Sequence, residues 1–396
     1  MMKSSSLWAN PLALPQGYNY NKWSPDDKID YLLSIVALSQ LVLSILQQLL
    51  VSFGIPTEVS TTYRVILSAS IIIVSFPFLL KRNALAVFTT FIIAFLFYGI
   101  SVIVHPETEV YWKNEGFRFL FPISLPSALC VVLIKDKRLF YQALFHISYL
   151  CALICLLYGI RLTNGSFILE RYSIGYGYAL LIPIIVLLFY PKWFNILISS
   201  VLFLFLVRYG SRAPLVALAV FIIYQAIIRK KFLYIALIVA AVVAINYFSS
   251  ISDSQILSSR SVQLLESREF FSHDSGRGEI QIPVMRAIRE RPITGWGAFG
   301  DRVVSGGYSH NLVLEIICDY GFFVGGFILI MLLFVIVSLF FKMNKLDRDV
   351  LVVFLSATLI PLMVSSSYLT NTDFAVFIGL LIKYHKDLSD QYRVST

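Results

Sequence analysis

The chain has 396 residues, of which 58% are hydrophobic and only 14% charged, with a mean hydropathy of +0.78. A soluble domain carries roughly 25% charged residues, so this chain cannot coat a water-facing surface; it reads as an all-α polytopic membrane bundle, and disordered, collagenous, nucleic-acid-binding and disulfide-rich secreted classes are excluded. Its net charge of +9 is accordingly read by location before it is read as affinity for polyanions.

Met1 to Lys28 is polar and shows no cleavable signal pattern, so the first apolar run, near Tyr31, is expected to stay as a membrane helix. Apolar runs then start near Val65, Ala84, Phe119, Leu139, Ile174, Phe194, Ala213, Phe232, Asn311, Val350 and Thr372, giving about twelve spans, the last of them short. The connectors alternate in charge. Lys81-Arg82, Lys135 to Arg138, Lys192, Arg229 to Lys231, Lys342 to Arg348 and the tail after Lys383 lie on one side. The positive-inside rule makes that side cytoplasmic, with both termini on it. The outer side holds Ile55 to Arg64, His105 to Arg118, Arg161 to Tyr172, Arg208 to Arg212 and one long loop between spans nine and ten, from Ser249 to His310. The organisation is thus residues 1–248 as helices one to nine, 249–310 as the outer loop, and 311–396 as helices ten to twelve. Cys130, Cys151, Cys155 and Cys318 all fall inside apolar runs and read as small core residues.

The outer cations differ in kind from the cytoplasmic ones: apart from Lys113 they are all arginine, whereas the cytoplasmic connectors are mostly lysine. Arginine presents a planar fork of donors that matches phosphate oxygens. The run from Ala213 to the Arg229 cluster is short for a span, which sets Arg212 slightly below the outer surface, where a cation calls for a partner or a function; snorkelling to headgroups is the alternative. Arg161 and Arg171, in the outer loop after span five, are further candidates for binding an anion.

In the long loop, Gln281 to Glu290 reads as a short amphipathic helix with Val284, Met285 and Ile288 on one face, Pro283 in its first turn and Pro292 ending it. The loop holds seven arginines and seven acids, so any single arginine, Arg277 included, has a local ion pair as its competing role. Gly295 to Gly300 spells G-x-G-x-x-G, yet no strand precedes it, and a flexible or backbone-exposing loop is expected instead of a dinucleotide site. Where the loop enters the next apolar run, His310 falls at the first helical turn, and Asn311, Glu315 and Asp319 repeat at four-residue spacing on one face. A helix N-terminus keeps imidazole neutral, the state a general base needs; a capping or hydrogen-bonded role for His310 stays open. Glu315 and Asp319 are expected to brace the His310 end or to pair with an outer arginine. No metal site is expected: Glu107 and Glu109 near His105 match no ligand spacing, and Asp347-Arg348-Asp349 lies on the cytoplasmic side.

Three stretches, Gly210-Ser211-Arg212-Ala213-Pro214-Leu215, Gly276-Arg277-Gly278-Glu279 through Arg291-Pro292-Ile293-Thr294-Gly295-Trp296-Gly297, and Ser309-His310-Asn311 through Asp319-Tyr320-Gly321, resemble the Wzy-type O-antigen polymerases and O-antigen ligases. The resemblance covers the C-terminal half. It implies an inverting, metal-independent glycosyltransferase of the C-type membrane fold in the bacterial inner membrane, without cofactor, facing the periplasm. Its implied partners are undecaprenyl-diphosphate-linked oligosaccharide and polysaccharide, inner-membrane lipid and a chain-length regulator protein, with no nucleic acid. It also implies that Arg212 and Arg277 bind the donor diphosphate and that His310 assists the acceptor hydroxyl; Arg161 and Arg171 are secondary diphosphate candidates from topology. The ligase pattern places a glycine and, three residues on, Gly, Thr or Tyr; Gly321 fits and Val324 does not, which tilts the reading to a polymerase. A flippase or secondary transporter is the alternative from another class, but it predicts an internal repeat and a long central connector, and only Pro191-Lys192-Trp193 stands there.

Overall fold

The computed structural model describes residues 23–163, 174–189, 192–209, 212–228, 230 and 277–395, and among these no strand forms. Helix α1 (Pro25–Ser52) starts with a capping box, in which the Ser24 hydroxyl accepts from Asp27 N at 3.1 Å and Ser24 N donates to the Asp27 carboxylate at 3.0 Å. Helix α2 (Thr57–Val104) has 48 residues, far more than one bilayer crossing needs, and its helical angles break at Asn83 (φ −164°, ψ 88°). There the Asn83 side chain accepts from Ala86 N at 3.0 Å and caps the second half. Arg82, beside the break, reaches Asp26 at the start of α1, whereas Arg64 reaches Gln47 near its end. The chain therefore reverses at Asn83, and the runs near Val65 and Ala84 are two passes.

Helix α3 (Pro106–Leu133) contains a long π-helical stretch, Trp112–Ser124, in which Trp112 is fully buried beside Phe121 and Phe299. It is followed by α4 (Lys137–Thr163), α5 (Ile174–Phe189), α6 (Trp193–Tyr209) and α7 (Arg212–Ile227). The span expected near Phe232, and Arg171, lie outside the described residues. Beyond them come α8 (Arg277–Glu290), α9 (Gly300–Ser305), α10 (Leu312–Lys342), α11 (Lys345–Phe354, running on through a π-helical turn to Leu362) and α12 (Thr372–Ser395). Among the described residues five helices, α1 to α4 and α10, are long and apolar enough to cross a membrane, and α5, α6 and α7 are shorter apolar helices. Helix α12 is mostly apolar only in its first half; Lys383, Lys386, Asp387 and Asp390 occupy the second.

Polar contacts divide the bundle into two ends. At one, Arg82 pairs with Asp26 and Asp30, Lys135 with Asp26, and Lys137 with Asp347 and Asp387, so the lysine-bearing connectors 81–82 and 135–138, the start of α11 and the end of α12 come together. Asp347 also accepts from Tyr141 and Asn344, and Asp349 from Tyr224, which accounts for the Asp-x-Asp spelling as helix bracing. The opposite end gathers 105–115, 277–310 and the turn 363–371.

Candidate functional site

The outer loop is assembled from α8 upward. Helix α8 begins at Arg277, earlier than the expected Gln281, so Pro283 lies within it rather than in its first turn. Its buried row is Val284, Ala287 and Ile288, spaced i, i+3, i+4, and it packs on Ile317 and Cys318 of α10. Met285, expected on that face, points outward at 43% exposure. After the helix, Arg291 lies 3.8 Å over the Trp296 ring and pairs with Glu107 at 3.0 Å, while Trp296 Nε1 donates to the Ala287 carbonyl at 2.9 Å.

Of the two expectations for the G-x-G-x-x-G segment, flexible or backbone-exposing, the second fits: its backbone clasps α10. Helix α10 is interrupted at Gly321 (φ 72°, ψ 175°), a conformation essentially reserved for glycine. Carbonyls around the break are met from outside: Trp296 N donates to Cys318 O and Gly297 N to Asp319 O, both at 2.9 Å, and Phe322 N returns a bond to Pro292 O at 2.7 Å. The contact is close enough to demand glycine on both sides. A Cβ on Gly295 would lie 2.4 Å from Asp319 O, and one on Gly321 would lie 2.2 Å from Ile293 O.

Helix α9 carries Arg302, whose guanidinium is fully enclosed. Its Nε donates to Glu115 at 3.0 Å, its Nη1 to Asp301 at 2.8 Å and Glu315 at 3.2 Å, and its Nη2 to the Ser367 hydroxyl at 2.7 Å. Burial opposes the charge, but Asp301, Glu315 and Glu115 outweigh it and hold the guanidinium above its ordinary pKa. Glu315 also accepts from Ser367 and Tyr368 N, and Asp319 accepts from Gly300 N at 2.9 Å and the Tyr368 hydroxyl at 2.8 Å. The expectation that these intramembrane acids pair with an outer arginine is met for Glu315, and the arginine is Arg302.

His310 does not stand in the first turn of α10. Asn311 is the N-cap, its side chain accepting from Val313 N at 3.0 Å and Leu314 N at 3.1 Å, and His310 precedes it with a left-handed φ of 55°. Replacing Asn311 by alanine is expected to cost about 1 kcal/mol of stability, and Asn311→Asp much less; thermal unfolding of the two variants in one detergent tests this. The imidazole lies against Tyr308, ring centroids 4.2 Å apart, and its Nδ1 is buried with no hydrogen-bond partner. Its pKa is lowered as expected, but the cause is different: burial comes first and the charge of Arg277 second, opposed by the Ser365 backbone and Asp301. Neutral imidazole with a bare ring nitrogen can accept a proton.

Of the proposed diphosphate ligands, Arg277 lies near enough to His310 for its charge to bear on the imidazole. Arg212 opens α7, which packs on the 355–362 stretch leading into the Ser365 turn, and Arg161 lies in the last turn of α4; the side chains of both are outside the described residues, as is Arg171 altogether. Arg302, Glu115, Ser365, Ser367 and Tyr368 were not singled out by sequence. Arg302 follows an aspartate in a glycine-rich loop, a spelling that reads as surface, and its partners lie on three other elements.

Residues 195–330 match the Wzy_C family model, described as O-antigen ligase, and the match supports the likeness to O-antigen ligases and polymerases. The matched stretch contains Arg212, Arg277, Arg302, His310, Glu315 and Asp319. No curated protein and no solved structure matches the chain.

Proposed function

We propose that the chain is an O-antigen polymerase, a multi-pass protein of the bacterial inner membrane that works at the periplasmic face. It transfers the growing undecaprenyl-diphosphate-linked polysaccharide onto the non-reducing end of a new lipid-linked repeat unit. The observation that carries the reading is His310, neutral and bare at Nδ1 under the charge of Arg277, inside the stretch that matches the family. In this reaction the acceptor hydroxyl oxygen attacks the anomeric carbon, its proton passes to His310, and the bond to the diphosphate breaks. The negative charge that develops on the leaving diphosphate is met by Arg277 and Arg212, with Arg161 and Arg171 as further cations. Glu315, Asp319 and Asn311 hold the frame.

The description of the matched family favours a second reading, transfer of the finished polysaccharide to lipid A-core. Val324, the departure from the ligase pattern, is 53% exposed and lines an apolar groove on α10. A deletion strain separates the two on a lipopolysaccharide gel. Loss of a polymerase leaves core bearing a single repeat unit; loss of a ligase leaves bare core and polymer stranded on the carrier lipid. An unchanged ladder overturns both.

A further inference from the structure

Arg302 is the one fully buried arginine of the outer end among the described residues, and its contacts converge on the segment that carries His310. Its Nη1 holds Asp301 through Oδ1, and the other carboxylate oxygen of Asp301 accepts from Ser309 N at 2.7 Å. Ser309 is fixed a second time, because Gln281 of α8 donates to its carbonyl at 3.3 Å, and its hydroxyl donates to Asn311 O at 3.1 Å. His310 is thus gripped on both sides, by Ser309 before it and by the N-cap Asn311 after it. Between those grips it takes a left-handed backbone, uncommon for a residue with a side chain although histidine adopts it more readily than most. The guanidinium also lies 5.9 Å from the centre of the Tyr308 ring on which the imidazole rests.

We propose that Arg302, acting through Asp301 and Ser309, is the positioning residue of the site, holding His310 in its left-handed turn with Nδ1 turned away from every protein acceptor and donor. The proposal rests on the reading of His310 as the base. Three features of the geometry carry it. Arg302 bridges four elements, Glu115 on α3, Asp301 on α9, Glu315 on α10 and Ser367 in the turn before α12, so the loop is registered against the bundle rather than against itself. The Ser367 turn also contains Ser365, whose backbone acts on the imidazole. Asp301, with no side-chain exposure, has no solvent to replace the guanidinium if it is lost.

The charges that act on His310 are Arg277 on α8 and Asp301 on α9; Arg302, Glu315 and Glu115 stand behind Asp301 in one network, and the Tyr308 ring lies against the imidazole. Titration of His310 therefore reports the arrangement without reference to activity. Full-length protein carrying ¹³C-labelled histidine is titrated in detergent micelles, and His310→Gln assigns the resonance among the five histidines. R302Q leaves Asp301 unneutralised, and the His310 midpoint is expected to rise by about one pH unit. D301N removes the acid that favours the protonated ring, and the midpoint is expected to fall. R302K, which keeps the charge but not the fork, is expected to stay near wild type in midpoint.

A merely structural role gives a different result: loosening the loop exposes the ring, and R302Q and D301N both move it upward toward the ordinary value. That outcome, or no movement in either, overturns the proposal. Membrane vesicles from the complemented deletion strain, using their own lipid-linked repeat units at matched protein level, give the second readout. There R302Q is expected to slow product formation by about 100-fold and R302K by about 10-fold, the loss a misplaced catalytic group produces; an R302Q rate equal to wild type also overturns the proposal. If H310A vesicles work as well as wild type while the titrations shift as stated, the assignment of the base fails and the positioning stands.

Discussion

Replacing His310 by alanine is expected to lower polymer formation by about 100-fold to 10,000-fold, the range that general-base catalysis supplies, while the protein still inserts and folds. The side chain removed is half-buried and caps nothing, since the N-cap of α10 is Asn311. The pH dependence follows from the same environment. Burial and Arg277 lower the pKa of His310 below its ordinary value, so the ring stays neutral further into acid than a free histidine does. Activity should therefore hold through neutral pH and fall only as the pH drops below about 6.5, the unperturbed midpoint. Arg277→Ala removes one of the two causes that lower the pKa, and the acidic limb should move upward. It should also slow the reaction by withdrawing a cation from the leaving group. The measurement is the rate of product formation in membrane vesicles across pH, with protein level fixed by immunoblot. Wild-type chain lengths in a His310→Ala strain would remove the residue from the mechanism.

The second large effect is on stability. Gly321→Ala places a Cβ at 2.2 Å from Ile293 O and asks alanine to adopt φ 72°, ψ 175°. Strain of about 1–3 kcal/mol for the backbone adds to about 1–3 kcal/mol for the overlap, and the alternative of straightening α10 breaks the bonds to Trp296, Gly297 and Pro292. The thermal midpoint in detergent should fall sharply. Gly326→Ala, five residues on, meets nothing within 4 Å and is the matched control, with no loss expected. Equal midpoints for the two variants would mean that the clasp contributes nothing to the fold.

The elements that were legible in the sequence are those set by local pattern. Apolar runs, the existence of the helix that follows the outer loop and the shared face of Glu315 and Asp319 all follow from spacing, whereas His310, expected in the first turn, precedes the N-cap Asn311. The break at Asn83 was legible as a connector because a basic pair and a capping asparagine stand together there. What failed was phase and distance. Helix α8 starts earlier than Pro283 suggests, because the N–H that proline lacks would have met the carbonyl of Glu279, an exposed residue. Its buried row then falls on Ala287 instead of Met285, one position that a short amphipathic pattern does not decide. The glycine spelling left a flexible and a backbone-exposing loop both open, because spelling alone does not say that another backbone approaches; the clasp is the second of these. Arg302 was hidden for a deeper reason. Its environment is made by Glu115, Glu315 and Ser367, each brought from a different helix or turn, and no spacing in one chain segment encodes such a meeting.

The ion pairs at the lysine-bearing end give the bundle a fulcrum. Arg82 and Asp30 are almost wholly enclosed, and parting an enclosed pair by removing one member costs about 3–5 kcal/mol. The pairs tie α1 to α2 and α4 to α11 and α12, with Lys135 linking the connector before α4 to Asp26 of α1, and Arg302 ties the outer end separately. Across a hydrocarbon layer of about 30 Å, each degree of tilt displaces the far end by about 0.5 Å. A tilt of a few degrees about the lysine-bearing end would exceed the reach of the hydrogen bonds that Arg302 makes at the other, so the two networks restrain each other.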